Sequence, residues 1–127
     1  TILNDVTSRY LQQQHNQWFL GKSLDSFAPM GPSIVTIDEL VDVTRATIST
    51  AENGEERQKA KIADLIFDIP TLMETLTSTM TLLPGDIIAT GTPAGVGLGF
   101  NPPKFLKSGD VVSVNIDAIG CLANPIV

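Results

Sequence analysis

The chain has 127 residues, which suits one domain or a piece of one. Hydrophobic residues make up 43% and charged residues 17%, a globular balance that excludes a disordered chain. A net charge of −6 and a pI near 4.5 exclude non-specific nucleic-acid binding, which needs clustered Lys and Arg. No apolar run approaches the roughly 18 residues of a membrane-spanning helix, so no membrane partner is expected. The single cysteine, Cys121, forms no internal disulfide and favours a reducing, cytoplasmic setting; it reads as a small packed residue near the last strand. Thr1 to Asp5 has neither a starting Met nor a basic leader, and the chain is expected to begin inside a larger protein.

In chain order, Thr1 to Asn4 reads as a strand end, and Thr7 to Gln13 as one or two helical turns capped by Thr7 or Ser8. Gln12 to Gln17 is polar and expected to be a loop. Trp18 to Ser23 leads into the turn-rich connection Phe27 to Pro32. Ser33 to Ile37 is β-branched and reads as a strand, followed by a single helical turn at Asp38 to Leu40. Arg45 to Ala51 alternates, with Ala46, Ile48 and Thr50 on one face. Asn53-Gly54 is a hairpin signal, and Glu56 to Lys61 is the returning strand. Pro70 to Thr79 is the main helix, with Leu72, Met73, Leu76, Met80 and Leu83 at helical spacing and Pro84-Gly85 closing it. Asp86 to Ala89, Val111 to Ile116 and Gly120 to Ala123 are the remaining strands. This strand-rich order lacks regular βαβ alternation and excludes a Rossmann-type sheet.

Two nucleotide-binding signatures fail. Gly21-Lys22-Ser23 resembles the end of a phosphate-binding loop, but Asn16 stands where the first Gly is required. The Gly91 to Gly99 segment lacks dinucleotide-fingerprint spacing and has no helix pattern behind it. Other candidates are individually weak. Asp5, Arg9 and Gln12 would share one face if their stretch is helical, setting a metal acceptor beside a cation and an amide. An Asp at a strand end is more often a turn residue. Lys22 follows Trp18-Phe19 and Gly21, where partial desolvation would hold it against a substrate oxyanion; an ordinary solvated lysine is the alternative. The loop from Thr90 to Gly99 offers backbone N–H groups and the Thr92 hydroxyl to an anion, or is a plain surface loop. His15, in a Gln- and Asn-rich run, reads as an exposed loop residue and supports no catalytic triad.

Taken together and in order, these segments resemble the fumarylacetoacetate hydrolase family. The resemblance is carried by Asn4-Asp5-Val6-Thr7-Ser8-Arg9-Tyr10-Leu11-Gln12, by Gln17-Trp18-Phe19-Leu20-Gly21-Lys22-Ser23 with Asp25 to Pro32, and by Asn53-Gly54-Glu55-Glu56-Arg57-Gln58. Ile66-Phe67, Leu83 to Gly97, Leu106 to Val112 and Asn124-Pro125 complete it, so it covers nearly the whole chain. Ser8 and Tyr10 replace the family's usual Ala and Asp beside Arg9, and Lys59 to Ile62 replaces a small polar stretch.

The resemblance implies a mainly β fold with some α, a mixed β-roll or sandwich. Residues 1–127 would be the C-terminal portion of a single catalytic domain lacking its N-terminal part. It implies a homodimer and a Mg²⁺ or Mn²⁺ ion that binds a small 2-oxo acid. By position, Asp5 is the expected metal ligand and Lys22 polarises or positions the substrate oxygen. Arg9 and Gln12 line the site, Thr92 contacts the substrate carboxylate, and Gly91 belongs to the same substrate-binding loop. The family's other two metal carboxylates and its water-activating His/Glu pair would precede Thr1, so the isolated chain is expected to be inactive. The implied reaction is C–C cleavage by hydrolysis or decarboxylation through a metal-bound enolate. The alternative is isomerisation of the 2-hydroxyhepta-2,4-diene-1,7-dioate type, as in aromatic-compound catabolism. A truncated, non-catalytic binding module is the reading of another class.

Overall fold

The computed structural model describes residues 1–16, 18–40 and 42–127, with the His15 side chain left aside. Its centre is a four-stranded antiparallel sheet in the order β4-β3-β5-β6, formed by β3 (Thr47–Glu52), β4 (Glu55–Lys61), β5 (Val111–Ile116) and β6 (Gly120–Pro125). The alternation in β5 decides which face is covered: Val112, Val114 and Ile116 are buried, while Val111 and Asn115 point to solvent. A short ribbon of β1 (Ile2–Leu3) and β2 (Met30–Gly31) lies on that face. Ile2 is completely excluded from solvent and, with Ala46 and the β5 row, makes the core, to which Ile48, Ile62, Ile119, Leu122 and Ile126 add partly covered surface.

The β3–β4 hairpin turns at Asn53 and Gly54, whose φ values of 51° and 84° suit the tight turn read from that dipeptide. Asn53 also reaches across to β5: its backbone N–H meets Val111 O, its Oδ1 accepts from Val111 N, and its Nδ2 donates to Asp110 Oδ1. The fold class is as expected in mixing sheet and helix, here with open sheets.

Among the described residues there are three short α-helices, α1 (Arg9–His15), α2 (Trp18–Lys22) and α3 (Ile69–Thr77), of which α1 and α2 pack together. The α1 helix extends into the Gln-rich run expected to be a loop, because exposed Gln residues are good helix formers and the run continues the Arg9 to Gln12 turn. Gln17 lies outside the described residues, and so does the side chain of His15 on which the exposure reading rests. Asp68 caps α3 by accepting from Thr71 N at 2.9 Å, with Pro70 in the first turn. The helix stops at Thr77 rather than Thr79 or Pro84. Hydroxyls of Thr75, Thr77 and Ser78 bond to carbonyls three or four residues back, competing with helix propagation.

Two expected strands are absent. Ser33 to Ile37 forms no ladder, and Ile34 and Ile37 are 83% and 79% exposed. Asp86 to Ala89 is likewise unpaired, following a turn in which Asp86 Oδ2 accepts from Leu83 N. Both segments have β-branched sequences, but a strand needs a neighbour's backbone groups, and none is supplied here among the described residues. The single turn at Asp38 to Leu40 is seen, with Leu40 N and Glu39 N both donating to Thr36 O. Cys121 is exposed rather than packed: it sits opposite Asn115 on the outward side of β6.

The Asp110 carboxylate is held below its usual range, chiefly by the Asn53 amide and then by the Lys107 backbone N–H. A depressed folded-state value favours the ionised form, so this contribution to stability is complete above the ordinary aspartate range and is lost as pH falls through the folded value. Asp110→Asn should therefore flatten the acid limb of the stability profile. Urea midpoints measured across the carboxylate range should converge for wild type and variant at low pH and separate as pH rises.

Candidate active site

The burial of Ile2 fixes where the next residues go. Asn4 N–H donates to Pro29 O beyond the β1–β2 pair, and Asn4 Nδ2 donates to Asn124 Oδ1 on β6 at 3.2 Å. Asp5 follows at once, before α1 begins. The stripe expected of Asp5, Arg9 and Gln12 on one helical face therefore divides. Helix starts only at Arg9, so Asp5 stands outside it, while Arg9 and Gln12, three apart on α1, meet directly through Arg9 Nη1 and Gln12 Oε1 at 2.8 Å. Gln12 is buried and Arg9 half-buried.

The partner that reaches Asp5 is Lys22, from the end of α2. Its Nζ donates to Asp5 Oδ2 at 2.5 Å and to Thr7 Oγ1 at 3.1 Å. Gly21 makes this approach possible. Ser8 N–H donates to Gly21 O at 2.8 Å, and a Cβ at Gly21 would sit 2.8 Å from Ser8 O and 3.0 Å from Gln12 Cβ. The two helices touch backbone to backbone at this residue, and the next side chain is delivered to Asp5. Of the two readings of Lys22, desolvation by Trp18 and Phe19 is not what is seen: those residues are 70% and 73% exposed, and the neighbours of Lys22 are a carboxylate and a hydroxyl.

Thr92 and Gly91 lie elsewhere on the chain's surface, beside the β4 edge. Gln58 Nε2 donates to Thr92 Oγ1 at 2.9 Å and to Pro93 O at 2.7 Å, and Gly91 precedes them with a φ of 114°. No hydrogen bond joins this group to the Asp5–Lys22 group among the described residues. Two residues escaped the sequence reading. Of the two cap candidates, Ser8 takes the N-cap position without a side-chain cap bond and Thr7 is a Lys22 partner; Gln58 has no role in the hairpin motif read from the sequence. Two surface grooves, of about 420 Å³ beside Leu76, Met80 and Ile88, and about 270 Å³ beside Arg57, Lys104 and Phe105, include none of the expected site residues.

Among the described residues, no three His, Cys, Asp or Glu side chains converge as a metal site would require. Asp5 contributes one carboxylate, with Thr7 as a neutral oxygen beside it, which does not make up the oxygen set that Mg²⁺ or Mn²⁺ prefers.

The sequence profile of the fumarylacetoacetate hydrolase C-terminal region matches residues 1–127. The chain belongs to the fumarylacetoacetate hydrolase family. It is 55% identical over 126 residues to the oxaloacetate tautomerase YisK of Bacillus subtilis, covering 99% of this chain and 42% of that protein. The fumarylacetoacetate hydrolase of Exiguobacterium antarcticum superposes with a TM-score of 0.96 at 48% identity, over 99% of this chain and 45% of that one. The 2-hydroxyhepta-2,4-diene-1,7-dioate isomerase of Mycobacterium marinum superposes with a TM-score of 0.88 at 44% identity, over all of this chain and 46% of its own. The chain thus spans less than half the length of these family members.

The contact at Gly21 carries a direct consequence. Gly21→Val would force α1 and α2 apart, at a cost of about 1–3 kcal/mol for overpacking, and would withdraw Lys22 from Asp5. Denaturant unfolding should show the lower midpoint, and a crystal structure of the variant should show the Lys22–Asp5 bond broken.

Proposed function

We propose that this chain provides part of the active site of a divalent-metal-dependent enzyme that acts on a small 2-oxo acid. The reaction favoured is proton transfer beside the 2-oxo group, a tautomerisation or double-bond isomerisation. The observation that carries the proposal is the Asp5–Lys22–Thr7 cluster, held at the α1–α2 contact. A partly exposed ion pair stabilises a fold by only about 0–1 kcal/mol, so the cluster is poorly explained as a stabilising device. Both side chains keep about a third of their surface open, 34% for Lys22 and 35% for Asp5, and are accessible to a ligand.

Each residue has a definite task in this reading. An ammonium has three N–H donors, and Lys22 uses two, on Asp5 and Thr7. The third is available to the substrate's 2-oxo oxygen, where it stabilises charge that develops as a proton leaves the neighbouring carbon. Thr7 and Asp5 hold the ammonium in place. Arg9 occupies the Gln12 carbonyl oxygen, which leaves the Gln12 NH₂ to donate to a substrate oxygen and fixes which end of the amide faces the site. Thr92, with the backbone of Gly91, takes the substrate carboxylate.

The cation, Mg²⁺ or Mn²⁺, would use Asp5 as one ligand. The site formed by these residues alone is incomplete, so the proposal requires further carboxylates from outside the 127 residues. Held by Asp5 and those further carboxylates, such a cation would supply Lewis-acid stabilisation of negative charge on the 2-oxo oxygen. The family's homodimer is kept as the expected assembly, in a cytoplasmic protein. No helix among the described residues is long and apolar enough to cross a membrane.

Proton transfer is preferred over C–C cleavage because the 55%-identical relative is named a tautomerase and the M. marinum structure an isomerase. Cleavage by hydrolysis or decarboxylation is the second reading, and the E. antarcticum hydrolase at 48% identity supports it. Assaying the full-length protein with oxaloacetate and an acylpyruvate, with Mg²⁺ or Mn²⁺, separates the two. Asp5→Ala should abolish metal-dependent turnover while circular dichroism stays unchanged. Lys22→Met should lower kcat by about 10²–10³-fold, the usual effect of removing a charge-stabilising donor. Unchanged turnover in Asp5→Ala would refute its role as ligand.

A further inference from the structure

The strand β4 departs from regular pairing where it faces the Thr92 loop. Gln58 pairs with Thr50 and Glu56 with Ala51, which leaves Arg57 as an extra residue without a partner on β3. Such a bulge breaks strict side-chain alternation and re-aims the residues beside it. Here both Arg57 and Gln58 engage the segment between Thr92 and Lys104. Arg57 lies over the Phe100 ring at 5.3 Å and pairs with Glu52 and Glu55 at 3.2 and 3.1 Å. Gln58 reaches Thr92 and Pro93. The loop backbone lies against the bulge itself: a Cβ on Gly95 would fall 2.0 Å from Arg57 O and 3.1 Å from Gln58 Cγ. A loop whose glycines suggest mobility is therefore pinned to the sheet edge at Thr92, Pro93, Gly95 and Phe100.

We propose that Gln58 is a positioning residue that sets the direction of the Thr92 hydroxyl and so makes it a donor to the substrate carboxylate. The inference rests on the preceding reading of Thr92 as the carboxylate contact. Its logic is a proton count. The Pro93 carbonyl only accepts, so the Gln58 atom 2.7 Å from it is the amide nitrogen. The second hydrogen of that nitrogen is directed at Thr92 Oγ1, 2.9 Å away, and the hydroxyl accepts it. A hydroxyl carries a single hydrogen, and with Gln58 donating, that hydrogen is left for another acceptor. A substrate carboxylate only accepts. Gln58 thus fixes both the place and the polarity of Thr92, across 34 residues of sequence. The bulge at Arg57 is what brings Gln58 to it.

The test uses the full-length protein with Mg²⁺ and oxaloacetate, separating KM from kcat. Gln58→Leu should raise KM by about tenfold, the usual effect of losing one hydrogen bond to a charged group, with kcat nearly unchanged. Gln58→Glu keeps the length and shape of Gln but cannot donate: it takes the Thr92 hydrogen and sets a negative charge near the substrate carboxylate. The non-additivity of Gln58 and Thr92 variants is what separates orientation of Thr92 from packing or charge. KM should rise at least as far as in Gln58→Leu. Thr92→Val should match them, and Gln58→Leu with Thr92→Val together should be no worse than either alone. Wild-type KM in Gln58→Glu, or effects that multiply in the double variant, would overturn the proposal. A raised KM in Thr92→Val with wild-type KM in Gln58→Leu would overturn this inference alone. Wild-type KM in Thr92→Val, or a wild-type protein inert toward oxaloacetate, would overturn the underlying reading and this inference with it.

Discussion

The burial of Ile2 against the alternating row of β5 is the constraint on which the candidate site depends. Sequestering one such side chain is worth about 1.5–3 kcal/mol. Its geometric effect matters more. With Ile2 fixed beside Val112, Val114 and Ile116, the chain leaves the core at Leu3 and Asn4, and Asn4 is tied to Asn124 on β6. Asp5 then follows directly on Asn4, in a segment that is neither strand nor helix. A carboxylate placed this way keeps a defined position without being buried, which suits the proposed role of a ligand to an exchangeable cation.

The opposing group arrives by a different device. Gly21 lets α2 sit on the backbone of α1, and Lys22 is carried to Asp5 by that contact rather than by its own flexible stem. The site thus draws on two rigid supports, a buried strand residue and a backbone-to-backbone helix contact. The Thr92 side is supported by a third, the β4 bulge. Their common feature is that polar side chains are held by neighbours which have no chemistry of their own.

Local signals were legible in the sequence where they were self-sufficient. Asn53-Gly54 announces its hairpin, Pro70 its helix start, and the alternation of Val112, Val114 and Ile116 its buried face. Segments that depend on a neighbour were not. Ser33 to Ile37 and Asp86 to Ala89 have strand-forming residues but no partner strand among the described residues, and propensity alone does not create a ladder. The chemistry divides in the same way. Family motifs pointed to Asp5, Arg9, Gln12, Lys22, Gly91 and Thr92 as individual residues, and spacing put Asp5, Arg9 and Gln12 on one helical face. Spacing misplaced Asp5 because the helix begins four residues later. The Lys22–Thr7 and Gln58–Thr92 bonds join residues 15 and 34 apart, and only the folded backbone discloses them.

The central claim is that Asp5 and Lys22 are held together to serve a metal-bound 2-oxo acid. The most direct measurement is a crystal structure of the full-length protein with Mn²⁺ and oxalate, the metal located by its anomalous scattering. The account predicts a carboxylate oxygen of Asp5 among the ligands of the ion, with Lys22 Nζ within hydrogen-bonding distance of an oxalate oxygen. Mn²⁺ bound without Asp5, with Lys22 paired to Asp5 and making no contact to oxalate, would contradict it.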